Sequence, residues 1–221
     1  MDYCASNILF SISNMENQPL APPTKDEIKK YRNWWNSLSE AWKQAFNEAF
    51  LNNSDTKFPP DETLHLIWNT GPLRFAGPSA MFPNTTFELE DLSGVTALTN
   101  VEILVVSNHK IGSLKEIAHM TWLKSLFVFS NSLTSLEGVE NLKNLKNLYF
   151  NDNRIESLQP LAGLTQLETI HCSRNKISSF DGLGLQHKPA LENLYCLPND
   201  NLFTADVIEF EGRMRIKCQK G

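Results

Sequence analysis

Residues 142–158 read LKNLKNLYFNDNRIESL. The apolar positions are Leu142, Leu145, Leu148, Phe150, Ile155 and Leu158, with Asn153 set among them. Leu148 and Phe150 are two apart, the spacing of side chains that point to one side of a strand. The same pattern stands one unit earlier, at Met120, Leu123, Leu126, Val128, Asn131, Leu133 and Leu136. It stands again at Leu98, Val101, Leu104, Val106, His109, Ile111 and Leu114. Ahead of it come Leu164, Leu167, Ile170, Cys172, Asn175, Ile177 and Phe180. A fifth unit follows at Leu191, Leu194, Cys196 and Asn199, after a two-residue insertion near Gln186–Pro189. The steps 109→131→153→175 are each 22 residues, and 175→199 is 24.

Composition agrees with a repeat confined to one part of the chain. Of 221 residues, 29 are Leu and 22 are Asn, and 21 of the Leu lie between Leu92 and Leu202. One such unit cannot bury its apolar side alone, so units must stack into a continuous core. The Asn that ends each strand is expected to turn inward and bond backbone groups of adjacent coils. His109 is expected to do the same work in the first unit.

The pattern LxxLxLxxNxI resembles the leucine-rich repeat family, and the 22-residue length resembles its bacterial internalin-like subtype. The resemblance covers residues 89–204. It implies an α/β solenoid, a right-handed superhelix whose parallel strands line a concave face. The segments WWNSLSEAWKQAF (34–46) and LRFAGPSAMFPNTTFEL (73–89) resemble the N-terminal parts of bacterial leucine-rich repeat proteins.

A solenoid needs closed ends. Residues 21–88 read as a helical N-terminal cap. Thr24 with Glu27, and Ser37 with Glu40, have capping-box spacing. Leu38, Trp42, Ala45, Phe46, Ala49 and Phe50 form one helical stripe, and Asp61 to Trp68 reads as a third helix. Trp34, Trp35, Trp42 and Trp68 are expected to pack this cap on the first coil, with a Trp-lined ligand pocket as the alternative. Leu89 and Leu92 are in repeat phase, so a degenerate first coil is expected within Gly71–Leu92. At the other end, residues 205–221 read as a capping strand in which Met214, Ile216 and Cys218 point inward. Residues 1–20 read as a tail.

The net charge is −5, which argues against nucleic acid as a partner. No apolar run approaches the ~18–20 residues of a membrane span. The N-terminus lacks the basic and long apolar regions of a signal peptide, and four cysteines suit a reducing cytoplasm. Cys172, Cys196 and Cys218 are expected at one inward strand position, as small buried side chains. His171 and Cys172 should face opposite sides of their strand, which excludes them as a base–nucleophile pair. No phosphate loop, nucleophile elbow or zinc spacing is present, so neither cofactor nor metal is expected.

The outward strand positions carry the functional expectation. One column reads Val105, Phe127, Tyr149, His171 and Tyr195. Its flanks read Ser107, Phe129, Asn151, Ser173, Leu197 and Ile103, Ser125, Asn147, Thr169, Asn193. None of these fifteen positions is charged. A solvated face would be mostly charged or small and polar, so these rings are expected to lie uncovered on the concave side. Tyr and Phe are enriched at interface cores. The expected function is a non-enzymatic module that binds a protein or peptide through Ile103, Val105, Phe127, Phe129, Tyr149, Asn151, His171, Tyr195 and Leu197. Lys110, Arg154 and Lys176 follow the Asn column and read as a solvated edge. Self-association is one alternative. The other is an enzyme with His65 and Glu62 between the helices and the first coils.

Overall fold

The computed structural model describes residues 20–221. Apart from Leu20, the expected tail lies outside the described residues. Three helices come first: α1 (Lys25–Ser37), α2 (Glu40–Leu51) and α3 (Asp61–Asn69). The Thr24–Glu27 box is formed, with the Thr24 N–H donating to the Glu27 carboxylate at 2.8 Å. The second box is not. Ser37 is the last residue of α1, and its hydroxyl donates to the Trp34 carbonyl at 2.6 Å. Extended Leu38 follows, so Ser39 caps α2 instead, accepting from the Trp42 N–H at 3.3 Å.

Tyr31, Trp34, Trp35, Trp42, Phe46 and Trp68 are buried together. These rings are packing, as their spacing on the helices implies. Trp42 seats the helices on the repeats. Its ring meets Phe75 edge-on at 5.1 Å, and its Nε1 donates to Asp91 at 2.8 Å. Gly94 lies so close to the indole that a Cβ there would stand 2.1 Å away.

Among the described residues one sheet holds seven parallel strands in sequence order. They are β1 (Pro72–Ala76), β2 (Ile103–Ser107), β3 (Ser125–Phe127), β4 (Asn147–Tyr149), β5 (Thr169–His171), β6 (Asn193–Leu197) and β7 (Cys218–Lys220). Short 3₁₀ turns such as Lys115–Ile117 and Gln159–Leu161 carry the chain back between strands. Leu104, Leu126, Leu148, Ile170 and Leu194 fall opposite one another across the sheet, and all are buried. The expected inward columns are therefore the core.

The two ends meet expectation differently. The sheet begins at β1, within the Gly71–Leu92 span expected to hold a degenerate first coil though inside the range read as cap, and Leu73 and Phe75 enter the core from it. Pro72, which has no N–H to give, stands on this edge strand. At the C-terminal end a helix, α4 (Thr204–Met214), precedes a strand of only Cys218–Lys220. The expected capping strand over residues 205–221 is thus corrected. Phe210 and Met214 are buried at helical spacing, and Phe210 stacks on Phe180 at 3.9 Å. That stacking seals the last coil. Met214 does point inward, but from the helix. Cys218 pairs with Leu194 rather than Cys196, and the register then shifts between Tyr195 and Leu197.

The strand-end asparagines bond from coil to coil. Asn153 accepts from the Leu133 N–H at 2.9 Å and donates to the Val128 and Phe150 carbonyls at 2.9 and 3.0 Å. Asn131 accepts from Ile111 and donates to Val106. Asn175 accepts from Ile155 and donates to Phe150 and Cys172. Asn199 closes the series between Ile177 and Cys172. His109 fills the first rung, its Nδ1 accepting from the Leu89 N–H at 3.0 Å. Nε2 of His109 is buried with no hydrogen-bond partner among the described residues. Just before each rung the backbone turns left-handed, at Asn108, Ser130, Asp152 and Arg174, with φ between 52° and 60°.

Two predictions follow from these turns and rungs. A left-handed residue with a Cβ costs roughly 1–2 kcal/mol, and Gly gives back part of that through its looser unfolded state. Ser130→Gly should therefore raise unfolding stability in urea by roughly 0.5–1 kcal/mol. Burial pulls the His109 imidazole down from 6.5 to about 4, with the Phe75 backbone and the Glu88 charge acting the other way. The neutral ring is the folded form, so its contribution is whole above pH 6.5 and is lost as pH falls toward 4. Wild type should lose on the order of 2–3 kcal/mol more than His109→Asn between pH 7 and pH 4. Equal losses in urea titrations would refute this.

Candidate functional site

The strand register builds the outward columns. Val105, Phe127, Tyr149, His171 and Tyr195 face one another in turn along the sheet. Their rings touch as a continuous row. Phe127 and Tyr149 have centroids 4.7 Å apart, Tyr149 and His171 5.6 Å, and His171 and Tyr195 5.2 Å. The alternation of strand side chains produces this row, since Leu148 and Phe150 occupy the core on either side of Tyr149.

The row is less open than the sequence implies. Val105, Phe127, Asn151 and His171 are buried, while Ile103, Phe129, Tyr149, Tyr195 and Leu197 are half-buried. Rings in tilted and edge-on contact at these distances cover part of one another's surface, and that packing is one source of the burial. His171 Nε2 also lies 2.9 Å from the Ser173 hydroxyl, and Gly221 sits against both.

The flanking column is polar in its centre. Asn147 donates to the Ser125 hydroxyl at 3.1 Å, and Asn193 to Thr169 at 3.5 Å. Beyond the other flank, Arg174 pairs with Asp152 at 2.5 Å and donates to the Gly221 carbonyl. Burial alone would raise the Asp152 carboxyl, but hydrogen bonds from Arg174 and Asn151 hold it below the usual carboxylate range.

Sequence reasoning missed Arg74. β1 places it opposite Val105, at the head of the ring column. It is half-buried, and its guanidinium donates to the Phe82 carbonyl. Among the described residues it has no carboxylate partner, and burial pulls its pKa down. Three lysines beside the sheet are paired: Lys110 with Glu88, Lys124 with Glu102, Lys146 with Glu168. The Leu73–Phe75 spacing was the available signal, but 31 residues rather than 22 separate Arg74 from Val105. At the far end β7 adds Gln219 opposite Tyr195, and Lys220 beside Leu197.

The alternative site residues are placed as follows. His65 contacts the Tyr31 hydroxyl at 3.3 Å, Asn69 at 3.1 Å and the Ala21 carbonyl at 2.9 Å, so structural partners occupy its ring. Glu62 is exposed. Cys172 is buried, and burial pushes its thiol up. The Cys196 thiol is raised by its hydrogen bond to Cys218 and by burial. Among the described residues no three His, Cys, Asp or Glu side chains are grouped to hold a metal. No described helix is long and apolar enough to cross a membrane.

Comparison with known proteins bears on the same residues. The family described as leucine-rich repeats in two copies matches residues 121–163. No curated protein sequence matches the chain. An internalin of Listeria monocytogenes, inlF, is similar in structure with 28% identity and a TM-score of 0.51. The likeness covers 57% of this chain and 36% of that one, so it spans about a third of the internalin. Internalin C2 of the same organism aligns at 17% identity and TM-score 0.41, over 91% of this chain and 100% of that one. The leucine-rich repeat domain of the type III effector XopL aligns at 15% and 0.41, over 85% and 75%. Residues 121–163 thus carry leucine-rich repeats, and the 22-residue coil is similar to that of an internalin.

Proposed function

We propose that this chain is a non-enzymatic interaction module which binds a protein or peptide partner across the concave ring column. Leucine-rich repeat proteins are generally protein-interaction modules, and the internalin likeness is to a protein of that build. The single observation behind the reading is the charge-free row Val105–Phe127–Tyr149–His171–Tyr195, held in one register across five strands. Packing of the core does not require it, because the core is filled by the alternate residues. The half-buried rings Phe129, Tyr149 and Tyr195 keep apolar area that a partner can cover, at about 25 cal/mol per Å² before the costs of association.

Seven strands at ~4.8 Å give a face about 29 Å wide. That width suits an extended segment, a hairpin or a helix better than a small metabolite, which fits a closed pocket. Buried thiols at Cys172 and Cys196 suit a reducing compartment, which supports a cytoplasmic setting.

Phe129→Ala combined with Tyr195→Ala tests the face with little risk to the fold, since both rings are only half-buried. A partner captured on the wild-type chain and then titrated by calorimetry should bind the double variant at least tenfold more weakly, about 1.4 kcal/mol. Unchanged affinity would remove the concave column from the binding surface.

A further inference from the structure

We propose that Arg74 and the loop beside it anchor a carboxylate of the bound partner, and that the docking segment is an extended peptide in which one acidic side chain stands between large apolar ones. The inference rests on the reading of the ring column as a docking surface, and it names the chemistry of what docks there. Three observations carry it.

The first is the cation. Strand alternation turns Leu73 and Phe75 into the core and leaves Arg74 on the concave side, opposite Val105. Its Nη2 donates to the Phe82 carbonyl, which sets the plane of the guanidinium. Its other N–H groups have no protein acceptor among the described residues, and they stay open to solvent. Burial pulls its pKa down, and no carboxylate acts the other way. A half-desolvated guanidinium gains most from a carboxylate, which its fork can grip through two parallel hydrogen bonds.

The second is the loop. β1 ends the sheet, so its outer edge has no strand beside it. Asn84 stands in for one there. Its Oδ1 accepts from the Ala76 N–H at 2.7 Å, and its Nδ2 donates to the Arg74 carbonyl at 2.8 Å. The Thr85 N–H and hydroxyl both donate to the Ala76 carbonyl, each at 3.1 Å. Residues 77–85 are thus pinned to the edge, yet they hold Met81 and Phe82 in solvent, 71% and 56% exposed. Arg, Phe and Met are all types enriched at interface cores.

The third is charge and spacing. The fifteen outward positions of β2–β6 and their continuations are uncharged. A partner that lays its acidic group among them leaves it without a counter-charge, whereas Arg74 supplies one at the head of the column. The net charge of −5 disfavours a polyanion, so a single carboxylate among apolar groups is the better match. Phe127 lies two strands from Arg74, about 10 Å away. An extended segment brings a side chain to the same side every ~6.6 Å. With its carboxylate on Arg74, its same-side neighbours fall over Val105 and Phe127 in one direction and over Phe82 in the other.

The probe is a library of random dodecapeptides displayed on phage, panned on the full chain and on Arg74→Gln. Peptides selected on the wild type should carry one Asp or Glu with large apolar residues two positions away on both sides. Selection on Arg74→Gln should lose that acidic preference. A selected peptide, synthesised and titrated by fluorescence anisotropy, should bind about tenfold more weakly when its acidic residue becomes the amide. It should bind Arg74→Gln about tenfold more weakly too, and both changes together should cost no more than either alone. The peptide's amide form reads the contact without altering the protein. Arg74→Lys, which keeps the charge but not the fork, should fall between wild type and Arg74→Gln. Phe82→Ala should weaken binding about threefold with an unchanged urea midpoint, since that ring is exposed. No peptide enriched, no acidic preference, an acidic preference that persists on Arg74→Gln, or losses that multiply when combined would each overturn the proposal. Binding that falls with Phe129→Ala/Tyr195→Ala but ignores Arg74→Gln overturns the carboxylate anchor alone and leaves the ring column as the docking surface.

Discussion

A stack of coils buries backbone N–H and C=O groups that no strand ladder reaches, and each must be paired inside the protein. Asparagine solves this because one short side chain offers both an acceptor and two donors. Asn153 satisfies Leu133, Val128 and Phe150 at once, and so joins two coils through backbone alone. The inward Leu columns then close over a skeleton that is already in register. His109 shows what the position demands. Its Nδ1 supplies the acceptor, but the ring works only while neutral, which places an acid-sensitive group in a series of rungs otherwise built from uncharged asparagine.

The core and the outer face divide the strand between them. Alternation commits Leu148 and Phe150 to the interior and leaves Tyr149 free of any packing role there. The face can therefore change without loss of fold, and here it has become a row of touching rings flanked by amides and hydroxyls. The helices at the N-terminal end and Phe210 at the other keep the terminal coils dry. Those closures come from aromatic side chains, which cover a large area per residue.

The middle of the molecule was legible from its sequence because a 22-residue period fixes phase. Once Leu148 and Phe150 are set inward, Tyr149, Phe127 and His171 have no freedom in which way they face. The ends were harder to read because they abandon the period. β1 is cut off from β2 by a long insertion, which hid Arg74 from the column it heads. Residues 213–218 alternate polar and apolar as a strand would, yet Phe210 and Met214 form a helical pair with a stronger claim on the last coil. A short run of alternation cannot outweigh a buried ring stacked at 3.9 Å. The openness of the ring row was illegible for another reason. Pattern shows which way a side chain points but not how tightly its neighbours close around it.

Each asparagine rung reaches back 20 residues to the amide it receives and about 25 to a carbonyl it serves. Those intervals do not change along the regular part of the array. Duplicating or deleting one whole unit would leave every such interval as it was, whereas an insertion within a coil lengthens the intervals that span it, as at Asn199, whose partners Ile177 and Cys172 lie 22 and 27 residues back. Array length is thus a variable that inheritance can alter in whole steps of about 4.8 Å, at little cost to what the molecule is made of.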